Sequence, residues 1–157
     1  MAMIERSVRE NDRTIIAVCG YDDDRGKDFI PFKDRYELIK KIYGDDPDIK
    51  IVLVDDKKIG LDGTFTVQNW EAWCDELLSS GGLYPDLRQR SDIEITWYSG
   101  DKSYIDKISM IYPNHNYVLL DRTRIPVSGT EIRVNPKEHK ELINTIYIDY
   151  LYKHEKL

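Results

Sequence analysis

The feature that most constrains this chain is a short apolar run with no alternation in it. Thr14, Ile15, Ile16, Ala17, Val18 and Cys19 follow one another without a charge and stop at Gly20. A half-exposed strand alternates polar with apolar residues, whereas a strand covered on both faces does not, so this run is expected in a parallel sheet flanked by helices. Ile49 to Val54 repeats the pattern. Between the two runs, Lys33 to Tyr43 places Tyr36, Leu38, Ile39, Ile42 and Tyr43 at helical spacing, with Gly44 as the stop. Val67 to Leu78 carries Trp70, Trp73, Cys74, Leu77 and Leu78 on a second helical stripe. The alternation continues with a strand over Ile93 to Tyr98, a short helix over Lys102 to Ser109, and a strand over Tyr117 to Leu120. One long helix is expected from about Lys137 to Tyr152, with Leu142, Ile143, Ile146, Tyr147, Tyr150 and Leu151 on its apolar stripe. Met1 to Asn11 reads as part of a helix, Ile4 and Val8 lying four apart on one face. Strand and helix in this order give an α/β fold, a parallel sheet with helices on both faces, and ligands collected at the carboxyl ends of the strands.

With 157 residues, 41% of them hydrophobic and 33% charged, the chain fits one domain over 1–157 with a core of its own. Ser79, Ser80, Gly81 and Gly82 form a connection after a helix rather than a linker, and there is no internal repeat. No apolar run approaches the roughly 20 residues that cross a bilayer, and the N-terminus has no secretion signal, so a cytoplasmic protein is expected. A formal charge of −6 argues against a nucleic-acid partner but leaves room for a local basic patch that binds a small anion. Cys19 and Cys74 have neither disulfide nor metal spacing and are expected in the core. The eleven tyrosines are assigned to packing and surface hydrogen bonding.

The sharpest local motif is Ile125-Pro126-Val127-Ser128-Gly129-Thr130-Glu131-Ile132-Arg133. Ser128 or Thr130 can cap a helix, Gly129 allows close backbone approach, and Arg133 adds a forked cationic donor, which together make a phosphate cradle. The same residues also read as an ordinary helix cap beside an exposed arginine. Asp22, Asp23 and Asp24 could hold a metal or form a solvated turn, and no metal site is assigned.

The stretch from Asp121 to Pro136 resembles the C-terminal signature of the nucleotidylyltransferase superfamily, Ile-Ser-x-Thr-x-x-Arg, with Val127 in place of isoleucine. Arg133-Val134-Asn135-Pro136 is similar to the Arg-x-Asn-Pro that continues it in the NadR-type nicotinamide-nucleotide adenylyltransferases. Gly20-Tyr21-Asp22-Asp23 with Arg25, Asp34-Arg35 before a helix, and Trp70 with Trp73 resemble further parts of that branch. The resemblance implies a Rossmann-like nucleotidylyltransferase fold and transfer of AMP from ATP, with Mg2+, to nicotinamide mononucleotide, giving NAD and pyrophosphate. It implies that Ser128, Gly129, Thr130 and Arg133, assisted by Arg124, hold the ATP phosphates. Tyr98, Ser99 and Gly100 would lie at the adenosine, and Trp70 or Trp73 would stack on the nicotinamide, although their stripe with Leu77 also reads as core.

The family begins with a strand, a glycine-containing loop and His-x-Gly-His. This chain has three histidines, His115, His139 and His154, none beside a glycine, so the sequence is expected to lack both the catalytic histidine pair and the first strand. Loss of a preorganised donor costs about 10² to 10³ in rate. Loss of a strand from the middle of the sheet forces its neighbours to pair directly or leaves backbone groups unpaired. A truncated enzyme, a shortened nucleotide-binding or regulatory domain, and an oligomer whose sheet is closed by a second copy are the three arrangements this allows. No Gly-x-x-x-x-Gly-Lys-Ser/Thr loop is present, so no fused kinase domain of that kind is expected, and no DNA-binding helix-turn-helix is visible.

Overall fold

The computed structural model describes residues 2–21, 30–56, 66–82, 92–121 and 129–157. Helix α1 spans Ala2–Glu10 and leads into strand β1, Thr14–Gly20. Helix α2, Phe32–Tyr43, precedes β2, Ile49–Asp55, and α3 covers Val67–Ser80. Then come β3, Thr96–Ser99, α4, Lys102–Ile111, and β4, Asn116–Leu119. A six-residue helix α5, Gly129–Val134, and a helix α6, Thr145–Lys153, complete the order.

The strands are parallel, as the apolar runs predict. β1 pairs with β2 from Thr14↔Ile49 to Gly20↔Asp55, and β3 pairs with β4 from Thr96↔Asn116 to Ser99↔Leu119. Among the described residues they form two two-stranded sheets rather than one continuous sheet. Side-chain alternation divides the faces of the first pair. Ala17, Cys19, Val52 and Val54 share the face that packs with Trp70, Trp73, Cys74, Leu77, Leu78 and Ile108 in the main core. Ile16 and Val18, buried on the opposite face, lie where α2 crosses β1 and β2. α1 touches both β1 and β3. Helices therefore cover both faces, as the sequence implies.

The helix boundaries have local causes. Thr66 Oγ1 accepts from the Asn69 N–H at 3.1 Å to start α3, and an Asp101 carboxylate oxygen accepts from the Ser103 N–H at 2.8 Å to start α4. The expected long C-terminal helix is interrupted. Lys140–Leu142 forms a single 3₁₀ turn, Ile143 and Asn144 are extended, and the Asn144 side chain accepts from the Ile146 N–H to begin α6. An asparagine offers the backbone a cap in place of another helical turn, which divides one apolar stripe into two pieces. α6 docks on α2, where Leu151 packs with Ile30 and Leu38 and the Tyr150 hydroxyl donates to Asp34.

Among the described residues no helix is long and apolar enough to cross a membrane. Both cysteines are free, and burial pushes each thiol up to about 12, which makes them unreactive core groups.

Candidate functional site

Parallel strands point their carboxyl ends the same way within each pair, and the loops leaving those ends carry the residues that can meet a ligand. At the end of β1, Gly20 has φ 141°, a value that favours glycine. Arg35 of α2 reaches back to this end, donating from Nη1 to the Cys19 carbonyl at 3.3 Å. At the end of β2, Asp56 accepts from Trp73 Nε1 at 2.9 Å. The Asp56 carboxylate raises the Cys19 pKa and the Arg35 guanidinium lowers it, both less than burial raises it, so charges of both signs lie near the Cys19 thiol.

At the end of the second pair, Ser99 Oγ accepts from the Asp101 N–H at 3.0 Å, fixing the turn from β3 into α4. The Ser99 carbonyl accepts from the Leu120 N–H at 2.8 Å, which ties the chain leaving β4 to the same end. Tyr98 is turned toward α1. Its hydroxyl donates to Glu10 Oε2 at 3.0 Å and accepts from Asn11 Nδ2 at 2.9 Å. Tyr98, Ser99 and Gly100 thus stand together at a strand's carboxyl end, with Ser99 and Gly100 committed to the turn and Tyr98 to the helix beneath it.

Gly129, Thr130 and Arg133 also come together. Arg133 sits one turn after Thr130 on α5 and donates from Nη2 to Thr130 Oγ1 at 2.7 Å. A Cβ placed on Gly129 would stand 3.5 Å from Arg133 Nη1, an ordinary contact distance, so the guanidinium lies close to the first residue of the helix. Gly129 and Thr130 are exposed and Arg133 is half-buried. Ser128 and Arg124 lie outside the described residues, as do Asp22, Asp23, Asp24 and Arg25.

The two tryptophans occupy the core. Trp70 and Trp73 retain 2% and 4% of their surface. Their rings lie 5.4 Å apart, and Tyr104 meets Trp70 edge-on at 5.0 Å. Lys107 Nζ caps the Trp70 ring at 4.9 Å. The helical stripe shared with Leu77 thus expresses its packing reading, and neither indole face is offered to a nicotinamide ring in this arrangement.

Sequence reasoning missed Asp56. Its signal was a pair of carboxylates, Asp55 and Asp56, directly after a buried strand, where a ligand-facing loop starts. None of the three histidines stands at a strand's carboxyl end. His115 immediately precedes β4, its ring stacked on Tyr112 at 4.7 Å, and His139 and His154 flank the C-terminal turns. Among the described residues no group of three or more His, Cys, Asp or Glu side chains could hold a metal ion.

No protein-family model matches this chain, and no curated protein does. Solved structures do. A NadR protein in complex with NAD and AMP-PNP superposes with a TM-score of 0.67 at 26% identity, covering 89% of this chain and 39% of that one. A NadR protein in complex with NR gives 0.72 at 25% identity, covering 93% of this chain and 39% of that one. The chain spans about two fifths of the length of these proteins.

Proposed function

Because this chain is a domain of the NadR type, we propose that it binds adenine and nicotinamide nucleotides at the carboxyl ends of its strands. The reaction such a site would serve is adenylyl transfer. A phosphate oxygen of nicotinamide mononucleotide forms a bond to the α-phosphorus of ATP, the bond from that phosphorus to the bridging oxygen breaks, and pyrophosphate leaves as NAD is formed. Magnesium enters with ATP, bound mainly to its phosphates, so a protein cage of several carboxylates is not required. Catalysis of this kind consists of alignment and charge stabilisation.

The observation that carries the proposal is the Arg133, Thr130 and Gly129 cluster. A guanidinium steadied by a neighbouring hydroxyl, beside a residue without a side chain, suits a phosphate because two of its N–H groups can engage two oxygens at once. Ser128 and Arg124 are proposed to add to this cradle. Ser99 and Gly100, at the end of β3, are proposed to border the adenosine, with Tyr98 holding that strand end through α1. The tryptophans are given no ligand role, since their burial in the core supplies none.

A second reading keeps the binding and omits the chemistry. Its support is the placement of the histidines, none of which is at a strand's carboxyl end to stabilise the transition state. Incubating the full chain with nicotinamide mononucleotide, ATP and magnesium, beside its Arg133→Ala variant, separates the two. NAD detected by chromatography with the former and reduced at least about tenfold with the latter supports transfer, because loss of one charged hydrogen bond costs about 1.5–3 kcal/mol. No NAD with either, together with retained ATP binding, supports a binding domain.

A further inference from the structure

Helix α2 starts without a side-chain cap, because Pro31 at that position carries no acceptor. Its first turn therefore depends for its order on contacts from elsewhere in the fold. That turn carries Arg35, whose Nη1 donates to the Cys19 carbonyl at the carboxyl end of β1. Where the guanidinium stands follows from how the turn is held. Phe32, 3% exposed, anchors it in the interior, and the Arg35 guanidinium lies 5.5 Å from the centre of the Phe32 ring. The second hold comes from α6, where the Tyr150 hydroxyl donates to Asp34, the residue before Arg35.

The facing surfaces of the two helices fit this contact. Ile146, Tyr147, Tyr150 and Leu151 share one stripe of α6 and pack in the cluster that holds Leu38, which lies four residues after Asp34 on the same face of α2. Arg35 is turned about 100° further round the helix, toward the strand end. Burial pushes the Tyr147 hydroxyl up to about 12, and the nearby Arg35 guanidinium counters part of that rise. The tyrosines of α6 thus meet both members of the Asp34–Arg35 pair, Tyr150 by a hydrogen bond and Tyr147 by proximity. Apolar packing alone would be served by a phenylalanine at position 150. What the hydroxyl adds is direction, since a hydrogen bond fixes an angle and apolar contact does not.

On the reading of the strand ends as a nucleotide site, we propose that Tyr150 is a positioning residue of that site. By holding Asp34 it fixes the first turn of α2, and with it the aim of the Arg35 guanidinium toward a phosphate group at the carboxyl end of β1.

The test uses the full chain, with Tyr150→Phe and Asp34→Ala cutting the contact from either side. Nuclear magnetic resonance of the Arg35 Nε–Hε group, identified by its loss in Arg35→Lys, reports the order of the guanidinium with no ligand present. Its order parameter should fall from the rigid range, near about 0.85, to below about 0.6 in both variants, while the thermal midpoint of Tyr150→Phe stays nearly unchanged. In calorimetric titration with magnesium ATP and with nicotinamide mononucleotide, Tyr150→Phe should bind at least one of the two on the order of fivefold more weakly. Adding Tyr150→Phe to Arg35→Lys should bring no further loss, because the hydroxyl acts through the arginine. An unchanged order parameter in both variants overturns the proposal, and so does an equal loss of affinity with and without Arg35. A chain that binds neither nucleotide, yet shows the fall in order, supports Tyr150 as the residue that places Arg35 and overturns the reading of the strand ends as a nucleotide site.

Discussion

His115 shows how one side chain couples the core to pH. Trp97 Nε1 donates to His115 Nδ1 at 2.9 Å, and the imidazole ring stacks on Tyr112 with their planes within 4° of parallel. An imidazole that accepts at Nδ1 carries its proton at Nε2 and is neutral, and burial lowers its pKa below the ordinary 6.5. Between the lowered folded value and the ordinary unfolded one, the unfolded chain binds more protons, so stability rises with pH across that window. The contribution is complete above about 6.5 and is lost as pH falls through the folded pKa. Urea unfolding at stepped pH should therefore show stability decreasing below about pH 6.5, and His115→Gln, which keeps an acceptor for Trp97, should flatten that part of the profile. An unchanged profile in the variant would assign the slope to other groups. At this scale the sequence is informative where partners are close along the chain. The three-residue spacing of Thr130 and Arg133 announces their contact, whereas Asp56 and Trp73, brought together by a strand and a helix, do not announce theirs.

At the scale of elements, α3 joins the two strand pairs. Its stripe of Trp70, Trp73, Cys74, Leu77 and Leu78 packs on β2 and on α4 together, so its burial is shared by both halves of the fold. Trp70→Ala should cost about 3–5 kcal/mol, read as a lowered urea midpoint, as expected for removal of a large core side chain. A cost under about 1 kcal/mol would return Trp70 to the surface role that stacking on a ligand requires. Helical periodicity made this element readable almost to its ends. It failed at Asn144, because an apolar stripe continues through a cap as easily as through a turn. Strand-like composition likewise overextended β3, since Ile93 to Ile95 share it but a strand ends where its partner does, and β4 begins opposite Thr96.

For the whole molecule, the order of strands and helices, their parallel sense and the helical cover on both faces were readable from patterns of two and 3.6 residues. The division of the sheet was not readable from those patterns, since which edges meet is decided by long-range packing. The candidate site was partly readable for the same reason. Its local cluster at Gly129, Thr130 and Arg133 was, and the arrangement of Arg35 and Asp56 around the end of β1 was not. Whether Arg133 holds nucleotide phosphate is decided by calorimetric titration of the full chain and of Arg133→Ala with magnesium ATP. The unaltered chain should bind, and the variant should bind at least about tenfold more weakly with its thermal midpoint unchanged; equal affinity in the two chains would remove Arg133 from the phosphate site.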